Sequence, residues 1–129
     1  MTNIQRTFSG APWEPKVGYC RAIRMRNIIA VTGTTSLNED GTVHAAGDAY
    51  SQAKRCLEII ERAIMPLGAD RTNIIRTRMF VTDIKLWEEF GRAHGEFFLG
   101  CPPATTMVEV KALIDPQMLI EIEADGVLL

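Results

Sequence analysis

Three cysteines, two histidines and an aromatic content of only 7% leave this 129-residue chain few routes to metal, disulfide or stacking chemistry. Cys20, Cys56 and Cys101 are odd in number and scattered, with no C-x-x-C spacing. That speaks against a disulfide framework or a zinc site and for reduced thiols. His44 and His94 are too few and too far apart to make a metal centre by themselves, and no cofactor fingerprint is present, so no metal or cofactor is expected. No uncharged apolar run approaches bilayer-spanning length, and the segment from Met1 to Arg6 lacks the apolar stretch of a signal peptide. The expectation is a cytoplasmic protein with no membrane role. A surplus of one charge is missing too. Arg21, Arg24, Arg26, Arg76 and Arg78 are balanced by acids to a net −2, so no basic stripe offers itself to nucleic acid. Repeats, low-complexity runs and linkers are absent, which predicts a single domain over residues 1–129.

What is present is an ordinary globular composition, 47% apolar and 23% charged, with enough length for one core. Gln5–Phe8 reads as a short strand before the loop residues Ser9-Gly10-Ala11-Pro12. Tyr19–Met25 and Ile28–Gly33 read as a hairpin turning at Arg26-Asn27, the second strand apolar enough to be buried on both faces. Asn38-Glu39-Asp40-Gly41 is turn chemistry. From Asp48, an N-cap type, the period changes: Ala53, Cys56, Leu57, Ile60, Ala63, Ile64 and Leu67 form one helical stripe closed by Gly68, with Pro66 disturbing the last turn. Ile74–Val81 is a further strand. A second helix follows Thr82-Asp83, with Leu86, Phe90, Ala93 and Phe97 on its stripe and a Glu88–Arg92 pair at i, i+4. Gly91 and Gly95 weaken that helix intrinsically. The order predicts an α+β fold: a mixed sheet of about six strands with two helices on one face, leaving an apolar opposite face for another subunit to cover.

The most informative segment is C-terminal. Pro103-Ala104-Thr105-Thr106-Met107-Val108-Glu109-Val110 and Leu119-Ile120-Glu121-Ile122-Glu123-Ala124 alternate strictly, about a turn at Asp115-Pro116. They resemble the C-terminal pattern of the RidA/YjgF family. Gly18-Tyr19 with Ala22, Val31-Thr32-Gly33, Arg78-Met79-Phe80-Val81-Thr82-Asp83 and Glu96-Phe97-Phe98 resemble further segments of that family in the same order. The resemblance implies a chorismate-mutase-like fold assembling as a homotrimer, with a small-molecule ligand in three inter-subunit clefts. It also implies the roles of particular residues. In the family's imine deaminases an arginine grips the substrate carboxylate, a tyrosine walls the cleft, and a glutamate with backbone groups positions the hydrolytic water. Carried over, Glu121 becomes the catalytic candidate, and Tyr19, Gly33, Thr34, Thr105, Thr106 and Met107 become substrate-binding candidates. Thr105 stands where the deaminases have arginine, Gly91 where asparagine is usual, Met107 where cysteine is frequent and His94 where tyrosine is common.

A neutral, short threonine cannot replace a guanidinium as a carboxylate clamp, and losing such a clamp costs roughly 2–5 kcal/mol of binding. The usual 2-imino acids are therefore expected to be poor ligands. Another enamine or imine is the first expectation, and non-catalytic metabolite binding in the same cleft the second. Arg21, on the same predicted strand face as Tyr19, has two readings: a substitute anion clamp, or an arginine that is solvated or bridges subunits. Thr34-Thr35 either present donors to an anion or simply end a strand. Glu123 reads as solvated, and His94 as a packing residue.

Overall fold

A computed structural model describes residues 3–129. Its elements are β1 (Ile4–Thr7), α1 (Trp13–Val17), β2 (Ala22–Met25), β3 (Ile28–Thr35), α2 (Ala49–Ile64), β4 (Ile74–Val81), α3 (Trp87–Phe97), β5 (Ala104–Glu109) and β6 (Ile120–Val127). The strands make one mixed sheet in the order β1-β2-β3-β6-β4-β5. β6 runs antiparallel to both β3 and β4, so those two are parallel, and β4 pairs with β5 in parallel. Each parallel step needs a crossover, supplied by α2 and then α3. Right-handed crossovers that travel the same way across a sheet place their helices on one face. The α+β arrangement read from the sequence is therefore the one adopted. Among the described residues no helix is long and apolar enough to cross a membrane.

Local chemistry explains the helix ends. Asp48 caps α2 by accepting hydrogen bonds from the Ser51 backbone N–H and hydroxyl. The predicted stripe is the buried one: Cys56, Leu57 and Ile60 have no exposure at all. Full burial of each large aliphatic side chain there contributes roughly 1.5–3 kcal/mol. Pro66 does not kink α2; the helix ends at Ile64, and Met65–Leu67 tighten into a 3-10 turn closed by Gly68 at φ +89°. One core residue escaped the periodicity. Gln52 is fully buried, donating to Ala45 O and Gln117 O and accepting from Leu119 N–H, so it ties α2 to the entry of β6.

Four expectations are corrected. The strand foreseen from Tyr19 begins only at Ala22, because Trp13–Val17 forms the unforeseen helix α1 and Gly18 ends it at φ +88°. β3 is buried on one face only, since Ile28 is 61% exposed and Ala30 also faces outward. Arg92 pairs with Glu89 and Glu96 rather than Glu88, and its guanidinium sits 3.7 Å over the Tyr50 ring. The open face of the sheet is only partly apolar: Met25, Ile28 and Val108 lie exposed on it, but its centre is charged. Alternation puts Ile120, Ile122 and Ala124 under the helices, and Glu121, Glu123 and Asp125 on the other side. There Arg78 bridges Glu123 at 3.3 Å and Asp125 at 3.0 Å.

α3 carries glycine at its middle and in its last turn with no packing reason: a β-carbon at Gly91 or Gly95 would meet nothing within 4 Å. Gly95→Ala is expected to raise stability by about 0.5–1 kcal/mol, read as a higher urea midpoint at unchanged slope.

Candidate active site

β2 stops pairing with β3 at the Ala22–Val31 register, and the β3–β6 register shifts between Val31 and Thr34. The second half of β3 therefore has no strand neighbour on its β2 side, and the bulge re-aims its residues. A cleft of about 670 Å³ opens here, lined by Tyr19, Arg21, Gly33, Thr34 and Glu121, with Arg55 of α2 on its wall.

Glu121 lies on the central strand and points away from the helices. A β-carbon at Gly33 would overlap Glu121 Oε2, so glycine is required for close approach and not for its backbone angles. The carboxylate is half-buried and takes no hydrogen bond from the described residues. Burial pushes its pKa above the ordinary carboxylate value, the Arg21 charge pulls it back, and Glu123 adds to the rise.

Arg21 is 5% exposed and almost fully engaged. Its Nε and Nη2 donate to Glu14 Oε2 at 3.2 and 3.1 Å, while Nη1 donates to Gly33 O at 2.8 Å and Thr34 Oγ1 at 3.2 Å. Four of its five N–H donors are thus occupied within the chain. Glu14, 2% exposed, also accepts from the Ser9 backbone and hydroxyl. The pair clips α1 to the glycine beneath Glu121, and the guanidinium lies 5.5 Å from the Tyr19 ring centre. This is neither a free anion clamp nor a solvated arginine. Thr34 accepts from Arg21 and donates to Thr32 O, so its hydroxyl too is engaged.

Thr105, Thr106 and Met107 do not meet this cleft within one copy, because β5 is the far edge of the sheet. Nor do the three point the same way. Thr105 and Met107 share the helix-side face with their register partners Thr77 and Met79, and Thr106 takes the opposite face beside Arg78. Thr77 Oγ1 donates to Thr105 Oγ1 at 2.7 Å and lies 2.8 Å from His94 Nε2. His94 is a packing residue, as its sequence position suggests, against Phe98 at 4.6 Å, and burial lowers its pKa. Sequence reasoning missed Glu14 and Thr77 as partners. Thr77 left a signal, a polar residue in the apolar phase of β4; Glu14 left none, since the helix that aims it was not foreseen. Among the described residues no group of three His, Cys, Asp or Glu side chains could hold a metal ion.

The family model for endoribonuclease L-PSP matches residues 9–128. A crystal structure of Rv2704 from Mycobacterium tuberculosis, a member of the YjgF/YER057c/UK114 family, superposes with a TM-score of 0.88 at 39% identity. It covers 97% of this chain and 99% of that one. An uncharacterized Streptomyces coelicolor protein is 33% identical over 95% of this chain and 91% of its own. The 3-aminoacrylate deaminase RutC of Acinetobacter baylyi is 30% identical over 84% of this chain and 85% of its own.

Two outcomes follow from the buried charges. Arg21→Met leaves Glu14 buried without its cation and is expected to cost about 3–5 kcal/mol in urea unfolding, with part recovered by adding Glu14→Gln. For Glu121 the folded pKa is raised, so the fold favours the protonated form. That stability is complete below the unfolded pKa and is lost as pH rises through the folded one. Glu121→Gln should therefore melt above the native chain at pH 8 and level with it at pH 4, by calorimetry.

Proposed function

The chain belongs to the endoribonuclease L-PSP family, the RidA/YjgF proteins, and on that premise we propose that it hydrolyses a small enamine or imine in clefts shared between three copies. The observation carrying this reading is the half-buried Glu121 carboxylate, free of hydrogen bonds from the described residues, held over Gly33 at the cleft. A base with a raised pKa accepts a proton more effectively near neutral pH than an ordinary carboxylate. Glu121 takes a proton from water, whose oxygen adds to the imine carbon. Glu121 returns that proton to the nitrogen, the new hydroxyl gives up its own as the carbon–nitrogen bond breaks, and ammonia leaves a carbonyl product; an enamine enters this sequence as its imine tautomer. Tyr19 walls the cleft, and the Glu14–Arg21 pair holds the Gly33 backbone in place.

The shared cleft is supported by the layout of one chain. Tyr19, Gly33 and Glu121 gather around the β3–β6 side, whereas Thr105 and Met107 lie on the edge strand β5. Residues of β5 can reach such a cleft only from another copy, a head-to-tail contact that gives a trimer where its rotation closes after three copies. The likeness to a 3-aminoacrylate deaminase supports enamine chemistry. With Thr105 in the clamp position, 2-iminopropanoate is a weak substrate in this reading. A ribonuclease reading finds little support in a chain of net charge −2 with two histidines far apart in sequence.

Light scattering is expected near 43 kDa, three copies of the 14.4 kDa chain. Ammonia release should be weak on 2-iminopropanoate and stronger on enamines generated in situ. Glu121→Gln should lower the latter by about a hundredfold with assembly intact. A monomer, or rapid turnover of 2-iminopropanoate, would overturn the reading. Turnover indifferent to Glu121→Gln would remove Glu121 from the mechanism, and binding without any turnover would leave a binding protein instead.

A further inference from the structure

Thr105, Thr77 and His94 form a line of hydrogen bonds from the sheet edge into the interior, and nothing in the proposed hydrolysis uses the inner two. Thr77 is fully buried and His94 is 8% exposed, while Thr105 is exposed. The links are 2.7 Å between the two hydroxyls and 2.8 Å from Thr77 Oγ1 to His94 Nε2. Thr77 has a single proton to donate. When it goes to Thr105, Nε2 is the protonated ring nitrogen, and Thr105 keeps its own proton to donate outward. In the other imidazole tautomer every bond reverses, and Thr105 accepts from outside. Both polarities keep the line uncharged, since burial holds His94 below its ordinary pKa and hence neutral at pH 7. Coupled hydroxyls also polarise one another, which strengthens the outermost bond.

We propose that His94, Thr77 and Thr105 act as a neutral two-way relay that selects an uncharged hydrogen-bonding group, a carboxamide or a hydroxyl, where the family's deaminases bind a carboxylate. The inference deepens the reading above and rests on Thr105 entering a neighbouring copy's cleft. A carboxylate at this position accepts the one hydrogen bond that Thr105 can donate but meets no cation bonded to Thr105, so the desolvation of its charge is only partly compensated. A carboxamide offers both a donor and an acceptor, and the relay answers either by switching tautomer.

The test is an NMR titration of the ¹⁵N-labelled native assembly with two isosteric probes, 2-oxopropanamide and 2-oxopropanoate. The amide is expected to bind about tenfold more tightly, the worth of one good hydrogen bond, and to shift the Thr105 amide and the His94 ring nitrogens. Thr77→Val keeps the shape but cuts the line, and should bring the affinity ratio to within about twofold of unity and change the His94 tautomer signal. If that variant fails to fold, Thr105→Val at the exposed end reads the same ratio. Equal or tighter binding of 2-oxopropanoate, or a preference that survives loss of the relay, overturns the proposal. Probes that shift Tyr19 and Glu121 but neither Thr105 nor His94 leave the cleft reading standing and sink the relay. Probes that shift none of the four sink both.

Discussion

The insertion of β6 between β3 and β4 is the constraint on which the rest of the structure depends. Every helix-facing residue of that strand is core, with Ile120 and Ile122 fully buried. Every alternate residue faces the open side, and the first of them is Glu121. Side-chain alternation therefore couples stability to chemistry. A slip of one residue would put glutamates under α2 and α3 and isoleucines into the cleft, so the hydrophobic core itself enforces the register that aims the carboxylate. The same insertion makes β3 and β4 parallel and so requires the two crossover helices.

Close approach is the second theme. Glu121 lies where a side chain at Gly33 would be, and the backbone at Gly33 is gripped from the other side by Arg21 through its carbonyl. A buried ion pair contributes little net stability once desolvation is counted, yet breaking it is costly. Glu14 and Arg21 thus specify geometry more than they add stability. They fix the loop, the short helix and the bulged strand as one unit beside a carboxylate whose raised pKa depends on that burial.

Much of this was legible residue by residue. The α2 stripe, the Asp48 cap, the left-handed Gly68 and the bounds of β4 follow from periodicity and short-range chemistry, which the chain writes locally. The family pattern around Pro103–Val110 and Leu119–Ala124 gave the fold and pointed to Tyr19, Gly33 and Glu121. What failed did so for identifiable reasons. Arg21 read as either a substitute clamp or a solvated or subunit-bridging arginine because Glu14 becomes its partner only through a helix too short to show a period. The open sheet face read as wholly apolar because counting layers ignores that alternation places Arg78, Glu123 and Asp125 at its centre, between Ile28 on one side and Val108 on the other.

The sequence by itself determined the period of the longer elements, their turns and caps, the alternation of core and polar residues, and a neutral threonine at residue 105. Only the tertiary structure decided which of these meet. It laid Glu121 over Gly33, engaged Arg21 internally, and set Thr105 beside Thr77 and His94 through the parallel β4–β5 register. The physical reason is one of range. Periodicity and capping are satisfied within a few residues. The partners of a buried carboxylate, guanidinium or hydroxyl are chosen across the sheet, where packing leaves each one place to bond.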